Sequence, residues 1–212
     1  MTELLEIYNL KGKLIGVKDK KKFYSEIEKE IAKTGKISKK VKSIRAILLN
    51  SKGRLYIQKR SKFKEVNPGL YDKTIGAHLR KGDSWDVTLT RECAEELGFP
   101  ATVVSKNEFD KVIKSTDLTV VGIFKKIGYI PDFKSLRIDR NGKKIVQHWI
   151  TTLYIGYFDG SIRFVDGESS GIEVFTLDEL DNEIKKYPDR FTEDIKVIIK
   201  KYKKFIKPIK KF

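Results

Sequence analysis

In the amino-terminal part of the chain, apolar residues first alternate with polar ones as in strands, then recur at helical spacing, and then alternate again. Apolar and polar residues alternate on both sides of the turn-like LKGK and again on both sides of SKG, which predicts two hairpins. Between them, KKFYSEIEKEIAKTGK carries apolar residues at helical spacing and closes with a glycine stop, which predicts a helix. The strands predicted in this part of the chain are LLEIYN, KLIGVKD, SIRAILLN, RLYIQKR and KTIGAHL.

Residues 84–97 have the pattern of a helix that packs through one face. Ser84 is a favourable N-cap, and Gly98 followed by Pro100 supplies the stop. Residues three or four apart lie on the same side of a helix, so the apolar positions form one stripe that packs on the predicted sheet. The stripe consists of Leu89, Cys93 and Leu97, with Val87 and Ala94 beside them.

The carboxyl-terminal half is predicted to add strands first and helices last. Two long strand-like stretches, DLTVVGIFKKIGYI and IVQHWITTLYIGYF, are separated by PDFKSLRIDRNGKK, which we expect to be a loop with an Asn-Gly turn. The remaining predicted elements are the short strands SIRFVD and GIEVF and the helices LDELDNEIKKY and FTEDIKVIIKKYKKF. Strands on both sides of a central helix, followed by further helices, predict one mixed α/β layered domain.

Composition narrows the class of protein. At 212 residues, 40% of them hydrophobic, the chain is long enough to bury a substantial core, so we expect a globular protein. No apolar run reaches the roughly 18–20 residues that span a bilayer, and MTELLEIYN lacks the basic and apolar start of a signal peptide. One cysteine, Cys93, excludes an internal disulfide framework and fits a reducing compartment, so we expect a cytoplasmic protein.

The chain is strongly basic, with 45 Lys and Arg against 29 Asp and Glu. The excess is mostly lysine in segments 11–43 and 196–211, and the C-terminal stretch IKVIIKKYKKFIKPIKKF has eight lysines and no acid. A net charge of +16 favours polyanionic partners, such as nucleic acid or a phosphorylated substrate. A solvated lysine-rich surface without a specific partner is the alternative interpretation.

Three carboxylates stand on one edge of the predicted central helix, although the chain as a whole is basic. Glu92 and Glu96 are one helical turn apart, and Glu95 lies beside them. Like charges at this spacing destabilise a helix by roughly a few tenths of a kcal/mol per pair. A divalent cation would remove the repulsion, because Mg²⁺ prefers hard oxygen ligands such as carboxylates and substrate phosphates. The spacing therefore indicates a metal site, and a solvated acidic helix edge is the alternative.

The same stretch, residues 76–99, resembles the signature motif of the Nudix family, the Nudix box. The family pattern is G-x5-E-x7-R-E-U-x-E-E-x-G-U, with U an aliphatic residue, and RECAEELGF matches its second half at every charged and glycine position. The first half departs twice, because Ala77 stands at the glycine position and Asp83 at the first glutamate position. These changes bear on the geometry of the loop more than on metal binding.

This resemblance implies a hydrolase that uses Mg²⁺ or Mn²⁺ to cleave a diphosphate linked to another moiety. The implied metal ligands are Glu92, Glu95, Glu96 and the backbone carbonyl of Gly76. Glu92 is either a further ligand or the base that activates water, and the candidate catalytic group is Glu92, Glu95 and Arg91. Arg91 and Asp83 occupy positions that usually pair to hold the loop against the helix, which implies a structural role for the arginine.

Nearly the whole chain resembles the Nudix branch that includes isopentenyl-diphosphate isomerases and related hydrolases. The resemblance extends to LLNSKGRLYIQKRSKFKEVNPGLYDKTIGAH before the box and to GYFDGSIRFVDGESSGIEVFTLDEL and PDRFTEDI after it. Isomerisation uses a cysteine at the position of Gly76 and paired acids near Gln147 and His148. Two upstream histidine ligands of the isomerase also lack counterparts, since residues 1–77 contain no histidine. We therefore favour a hydrolase and keep the isomerase as a third hypothesis.

Residues outside the central helix are candidates for binding substrate. By the same resemblance, Arg60 and Lys64 stand where isomerases contact the substrate diphosphate, and a guanidinium suits bidentate phosphate contact; solvated loop side chains are the alternative. His78 either lines the pocket or bonds within its loop, and Trp149 packs in the core or walls the substrate site. Glu168 aligns with a late glutamate of this branch, so it is a candidate late base or ligand, or else a turn residue.

Residues and resemblance together predict one Nudix domain over 1–212, an α/β/α sandwich with a mixed sheet and a basic C-terminal helix at about 188–212. The expected activity is Mg²⁺- or Mn²⁺-dependent hydrolysis of a nucleotide-type or other organic diphosphate. The second hypothesis is a catalytically weak protein of the same fold that binds phosphorylated ligands or RNA through its lysines. We expect substrate specificity in segments 60–75 and 128–148, no membrane partner, and, by default for soluble oligomers, a homodimer.

Overall fold

The computed structural model describes residues 3–163 and 169–209. Within them the strands are β1 (Leu4–Asn9), β2 (Leu14–Asp19), β3 (Lys39–Leu49), β4 (Leu55–Arg60), β5 (Tyr71–Asp72), β6 (Ile75–His78), β7 (Ala101–Val103), β8 (Gly122–Ile138), β9 (Lys144–Tyr157) and β10 (Ser169–Phe175). The helices are α1 (Lys20–Thr34), α2 (Trp85–Leu97), α3 (Phe109–Ser115), α4 (Leu177–Lys186) and α5 (Glu193–Tyr202). Both predicted hairpins and the predicted central helix are confirmed.

The strands form one mixed sheet, which confirms the predicted α/β class. Its main path runs β10-β4-β3-β9-β8-β7, and β1, β2, β5 and β6 attach to that path. The central pair, β3 and β9, is parallel, whereas β8 and β9 form a long antiparallel ladder. Both β1 and β6 pair with β3, so β3 holds these two strands in place beside the candidate site.

The side chains of β3 alternate between two apolar clusters, as expected when successive residues face opposite sides of a sheet. Ile44 belongs to the cluster that also contains the apolar stripe of α2, and Ile47 belongs to the cluster that contains the buried faces of α1, α3 and α5. The helices therefore cover both faces of the sheet, in the predicted α/β/α arrangement. None of the helices in the described residues is long and apolar enough to cross a membrane.

The segment PDFKSLRIDRNGKK is not the loop that the sequence predicts. Strand β8 continues through it to Ile138, and only residues 139–143 form the turn before β9. Pro131 cannot donate to a ladder, but the register between β8 and β9 shifts between Ile130 and Phe133. The proline therefore lies in an irregularity of the ladder, where a sheet tolerates it. The loop prediction is wrong because the proline and the charged residues of this segment fit a strand that has a register shift and exposed positions.

The basic C-terminal segment is helical over a shorter range than the predicted 188–212. Helix α5 begins after Thr192, whose hydroxyl accepts a hydrogen bond from a backbone N–H of the first turn. It ends at Tyr202 and is followed by a single 3-10 turn over Lys203–Phe205. The prediction was too long because lysines interleaved with apolar residues keep a helical pattern beyond the point where the helix ends.

Other short segments also differ from the prediction. Residues 161–163 of the predicted strand SIRFVD are not in a strand, and the rest of that stretch lies outside the described residues. The short elements β5, β7 and α3 have no counterpart in the sequence prediction. The strands β5 and β7 contain less than two strand periods, and α3 contains less than two helical turns, so periodicity does not reveal them.

The loop after β4 is tied to the end of β8 through Asn67. The buried Asn67 has a left-handed backbone with φ 51°, a conformation that asparagine tolerates better than most residues. Its N–H donates to the Ile138 carbonyl at 2.7 Å, and its Oδ1 accepts from the Ile138 N–H at 2.9 Å. These bonds bring two segments together, 61–70 and the end of β8, from which cationic side chains enter the site.

Removing the N-cap of α2 is expected to destabilise the protein. The Ser84 hydroxyl accepts a hydrogen bond from the Val87 N–H at 3.2 Å. For Ser84→Ala we expect the free energy of unfolding, measured with urea, to decrease by about 1 kcal/mol. The matched control is Ser25→Ala, at an exposed serine inside α1, where alanine should be neutral or slightly stabilising. Equal effects in the two variants would contradict the capping role.

Candidate active site

A cavity of about 380 Å³ opens beside β3, β6 and the carboxylate edge of α2. It is lined by predicted ligand and substrate residues: Arg60, Lys64, Gly76, His78, Glu92, Glu95 and Glu96. Other polar residues that line it, not singled out in the sequence, are Glu3, Lys20, Ser43, Arg45, Lys73, Arg80 and Arg137. The fold therefore collects side chains from distant parts of the chain into one polar pocket.

Two of the carboxylates of α2, Glu92 and Glu95, differ in environment. The side chain of Glu92 is 12% exposed, whereas that of Glu95 is 51% exposed. Burial raises the pKa of Glu92, and the adjacent Arg91, with Nη2 at 3.2 Å from Oε1, partly offsets this effect. Glu95 lies 3.3 Å from the guanidinium of Arg80. Glu92 is thus the carboxylate held in the less polar surroundings.

Arg91 lies beside the cavity without lining it. Its guanidinium donates a hydrogen bond to the Asp83 carboxylate in the preceding loop and another to Glu92. The pairing with Asp83 expected from the resemblance is therefore present, although aspartate replaces the usual glutamate. Arg91 therefore links the loop, the helix and one carboxylate that lines the cavity.

The donor chemistry of the cavity fits a divalent cation. Glu92, Glu95 and Glu96 line it together with Gly76, and hard oxygen donors are the ligands that Mg²⁺ and Mn²⁺ prefer. Within residues 3–163 and 169–209, no group of three or more His, Cys, Asp or Glu side chains is already converged as a metal site. Mg²⁺ does not require one, because it commonly uses one or two carboxylates plus substrate phosphates and waters. Glu95 and Glu92 form ion pairs with Arg80 and Arg91, so these arginines would compete with a cation for the two carboxylates.

His78 belongs to an aromatic wall of the cavity. The Tyr24 hydroxyl and His78 Nε2 are 2.6 Å apart, and the His78 and Trp149 rings have centroids 5.1 Å apart. Burial lowers the pKa of His78 to about 3, so the ring is neutral at physiological pH. A neutral histidine bonded in this way shapes the wall and does not add positive charge. Trp149 both packs in the core and walls the cavity.

Arg60 and Lys64 reach the cavity from the end of β4 and the loop after it. The Arg60 guanidinium donates to the Val66 carbonyl at 2.9 Å and lies 3.7 Å from the Asp72 carboxylate. It is therefore held in place on the protein side while it lines the pocket. The remaining candidate, Glu168, lies outside the described residues.

A buried ion cluster, formed by Arg45, Asp72, Lys73 and Asp194, lies behind the cavity. Its four members are at most 5% exposed. Arg45 Nε lies 3.1 Å from Asp194 Oδ2, and Lys73 Nζ lies 3.0 Å from Asp72 Oδ2 and 3.4 Å from Asp194 Oδ2. Only its two cationic members line the cavity. The cluster therefore presents positive charge to the cavity, and its carboxylates do not line the cavity.

Sequence reasoning missed the buried ion cluster. A signal was available at Arg45, because a charge inside the apolar run SIRAILL is seldom buried without a partner. No comparable signal marks Asp194, which stands 149 positions away in a segment whose acidic first turn is ordinary for a helix start. Contacts across such a separation depend on the tertiary fold and not on local pattern.

Acid is expected to destabilise the fold through Asp194. Burial alone would raise the pKa of this carboxyl, but Arg45, Lys73 and Arg137 outweigh burial and hold the pKa below its ordinary value. The stabilisation is fully present above the pKa of an unfolded aspartate, about 3.9, and is lost as the pH falls through the lower folded pKa. We expect the free energy of unfolding to decrease as the pH is lowered from about 5 towards 2.5.

The matched variant for this prediction is Asp194→Asn, which removes the titrating group. Its free energy of unfolding should depend less steeply on pH over the same interval. Urea denaturation at a series of pH values measures both slopes. The same slope in wild type and variant would show that Asp194 does not contribute to acid sensitivity.

Known proteins match this chain in sequence and in fold. The NUDIX domain family model matches residues 39–195 of this chain. An uncharacterised Nudix hydrolase of Nostoc sp. is 29% identical over 103 residues, which cover 49% of this chain and 55% of that protein. The isopentenyl-diphosphate Delta-isomerase of Serratia proteamaculans is 24% identical over 145 residues, 68% of this chain and 66% of the isomerase. The matches thus span between about half and two-thirds of these relatives.

Among solved structures, a crystal structure of a protein from Deinococcus radiodurans has the same fold. It matches with a TM-score of 0.61 and 18% identity, over 94% of this chain and 98% of that one. The family model covers most of the chain, including β3, β6, α2 and the described cavity residues except Glu3 and Lys20. The chain therefore belongs to the Nudix family.

Proposed function

We propose that this protein is a Mg²⁺- or Mn²⁺-dependent hydrolase that cleaves the diphosphate of an organic diphosphate. Members of the Nudix family are generally metal-dependent pyrophosphohydrolases. The observation that carries the proposal for this chain is that Glu92, Glu95, Glu96 and Gly76 line one cavity. Grouped carboxylates that repel one another in a basic protein are explained by a function that binds cations.

The charge of the cavity supports an anionic substrate. The lining contributed by the described residues contains seven Lys or Arg side chains and four Glu side chains. A bound divalent cation would add further positive charge. Such a pocket attracts a polyanion such as a diphosphate and is poorly suited to a neutral ligand.

The residues of the chain divide into roles that fit hydrolysis. Glu95, Glu96 and the Gly76 carbonyl would hold the cation, which when bound polarises phosphoryl oxygens and lowers the pKa of bound water. Glu92 is the candidate base that accepts a proton from the attacking water. Arg91 holds Glu92 in position and is itself anchored to the loop before α2.

The substrate is expected to extend from the carboxylates towards Arg60 and Lys64. Guanidinium and ammonium groups on this side would bind the phosphoryl group that lies farther from the carboxylates of α2. His78 and Trp149 would form the wall beside the moiety that is linked to the diphosphate. This arrangement keeps cationic contacts with phosphate separate from the aromatic wall.

The isomerase alternative lacks its chemical groups in this chain. Gly76 has no side chain where the isomerase has its cysteine. The strand positions of its paired acids carry Gln147 and His148, and His148 Nδ1 contacts Asp132 at 2.8 Å without lining the cavity. Hydrolysis needs neither the cysteine nor those acids, so it remains the favoured reaction.

The experiment that tests the proposal is release of phosphate and pyrophosphate from a panel of organic diphosphates. The panel contains nucleoside triphosphates, nucleotide sugars, dinucleotide cofactors, isoprenoid diphosphates and 5′-triphosphorylated RNA, each with Mg²⁺, Mn²⁺ or a chelator. Cleavage of at least one class, abolished by the chelator, supports the hydrolase and names its substrate class. Absence of cleavage throughout the panel would contradict the proposal.

A second candidate function, RNA binding without turnover, has one observation in its favour. A separate cavity of about 460 Å³ between α3 and the C-terminal segment is lined by lysines with aromatic side chains among them. The lysines are Lys106, Lys114, Lys125, Lys204 and Lys207. Binding of a single-stranded RNA that weakens steeply with salt, in a protein that cleaves nothing on the panel, would favour this function.

A further inference from the structure

Lys73 is a buried lysine at the edge of the proposed metal site. It stands between β5 and β6, is 5% exposed, and lines the cavity. Its ammonium is held by Asp72 at 3.0 Å and by Asp194 at 3.4 Å. An ammonium has three N–H donors, so two carboxylate contacts within the described residues leave one donor for a ligand. The Nudix box pattern assigns this residue no role.

The lysine side chain passes directly over Gly76. A Cβ added at Gly76 would lie 2.6 Å from Lys73 Cε and 3.0 Å from Lys73 Nζ. The backbone itself does not require glycine, because Gly76 is not among the residues with positive φ. A clash with the end of a lysine is normally relieved by rotation of the side chain. Here the buried carboxylates of Asp72 and Asp194 hold the ammonium in place, so the side chain of Lys73 occupies the space above Gly76.

The buried ion cluster turns its positive charges towards the cavity. Arg45 and Lys73 pair with the carboxylates of Asp72 and Asp194. The two cationic members line the cavity, and the two carboxylates do not. An anion in the cavity next to Gly76 would therefore meet the ammonium of Lys73 and not the carboxylates that hold it.

We propose that Lys73 is a substrate-binding residue whose ammonium contacts a phosphoryl oxygen of the diphosphate, in the space that Gly76 leaves open. This inference rests on the hydrolase function proposed above. Lys73 supplies positive charge to the cavity directly beside Gly76. Asp72 and Asp194 are positioning residues, because they act through the lysine. A cysteine at position 76, as in the isomerases, would occupy the same space as the lysine.

The test uses Mg²⁺ with methylenediphosphonate, a diphosphate that is not hydrolysed, and measures binding by calorimetry. Lys73→Met, which keeps the length and removes the charge, should weaken binding by about tenfold to a hundredfold, as expected for a hydrogen bond to a charged group. Mn²⁺ binding without the diphosphonate should be unchanged, which a general loss of structure would not produce. The matched control is Lys40→Met, a buried lysine outside the cavity that donates to the Pro131 carbonyl.

A second variant tests the shared space. Gly76→Ala should weaken methylenediphosphonate binding in the wild-type background, because the added methyl group displaces the ammonium. It should have much less effect in Lys73→Met, since the two changes remove the same contact. Full additivity of the two changes would overturn the role assigned to the glycine.

The outcomes separate this inference from the proposed function. If wild type hydrolyses a diphosphate and Lys73→Met keeps both its rate and its affinity for methylenediphosphonate, the hydrolase stands and the role of Lys73 is wrong. If wild type cleaves nothing but binds methylenediphosphonate through Lys73, the role of Lys73 stands and the hydrolase is wrong. Failure of wild type to bind methylenediphosphonate with Mg²⁺ also overturns the role of Lys73.

Discussion

Replacing Glu95 by glutamine is expected to lower kcat by about 10²–10⁴-fold on the substrate that the panel identifies. Glutamine keeps the size of the side chain but removes the negative charge that would hold the cation. Glu95 is half exposed and lies on the outer edge of α2, so the change should leave the free energy of unfolding nearly unaltered. Steady-state kinetics at saturating Mg²⁺ measures the effect, and urea denaturation checks the fold.

The matched control for this prediction is Glu28→Gln, at an exposed carboxylate of α1 outside the cavity. It removes the same charge from the protein without touching the site, so kcat should stay at the wild-type value. A variant at Glu95 with wild-type kcat would show that this carboxylate does not take part in the reaction.

The second large effect is expected on stability, from Arg45→Met. Arg45 is 2% exposed and donates to Asp194, to Ser43 at 2.7 Å and to Thr151 at 2.5 Å. Methionine fills much of the volume but leaves Asp194 buried with one cation fewer. Removing one partner of a buried pair destabilises proteins by about 3–5 kcal/mol, and we expect a decrease of this size in the free energy of unfolding.

Arg54→Met is the control for burial. Arg54 also forms an ion pair, with Glu179 at 3.1 Å, but both side chains are well exposed. Exposed pairs contribute roughly 0–1 kcal/mol, so this variant should lose far less stability than Arg45→Met. If urea denaturation showed the same decrease in the free energy of unfolding for both variants, burial would not explain the stabilisation by the Arg45 ion pair.

The site on α2 was predictable from sequence because its determinants are local. The helix period, the cap at Ser84, the stop at Gly98 and the spacing of the carboxylates all lie within one segment of the chain. The structure places those carboxylates in the same cavity as Gly76 and His78, which belong to the adjacent strand β6. Residues close in sequence stay close in the fold, so the local pattern was sufficient.

The rest of the site depends on contacts between distant segments. Arg45 meets Asp194 across 149 positions, and Arg137 enters the cavity only because β8 continues past Pro131. A sequence shows that a charge stands in an apolar run, but it does not show which opposite charge will face it. The register shift in β8 likewise depends on pairing with β9, which local propensity does not encode.

The proposed metal centre on α2 is the feature on which the proposed hydrolysis depends. Titration of Mn²⁺, followed by electron paramagnetic resonance, measures it directly in the wild type and in a variant with Glu92, Glu95 and Glu96 all changed to glutamine. The expected result is saturable binding of Mn²⁺ by the wild type that is lost in the variant, while both proteins unfold cooperatively in urea. The same Mn²⁺ affinity in both proteins, or no Mn²⁺ binding by the wild type, would contradict the metal-dependent function.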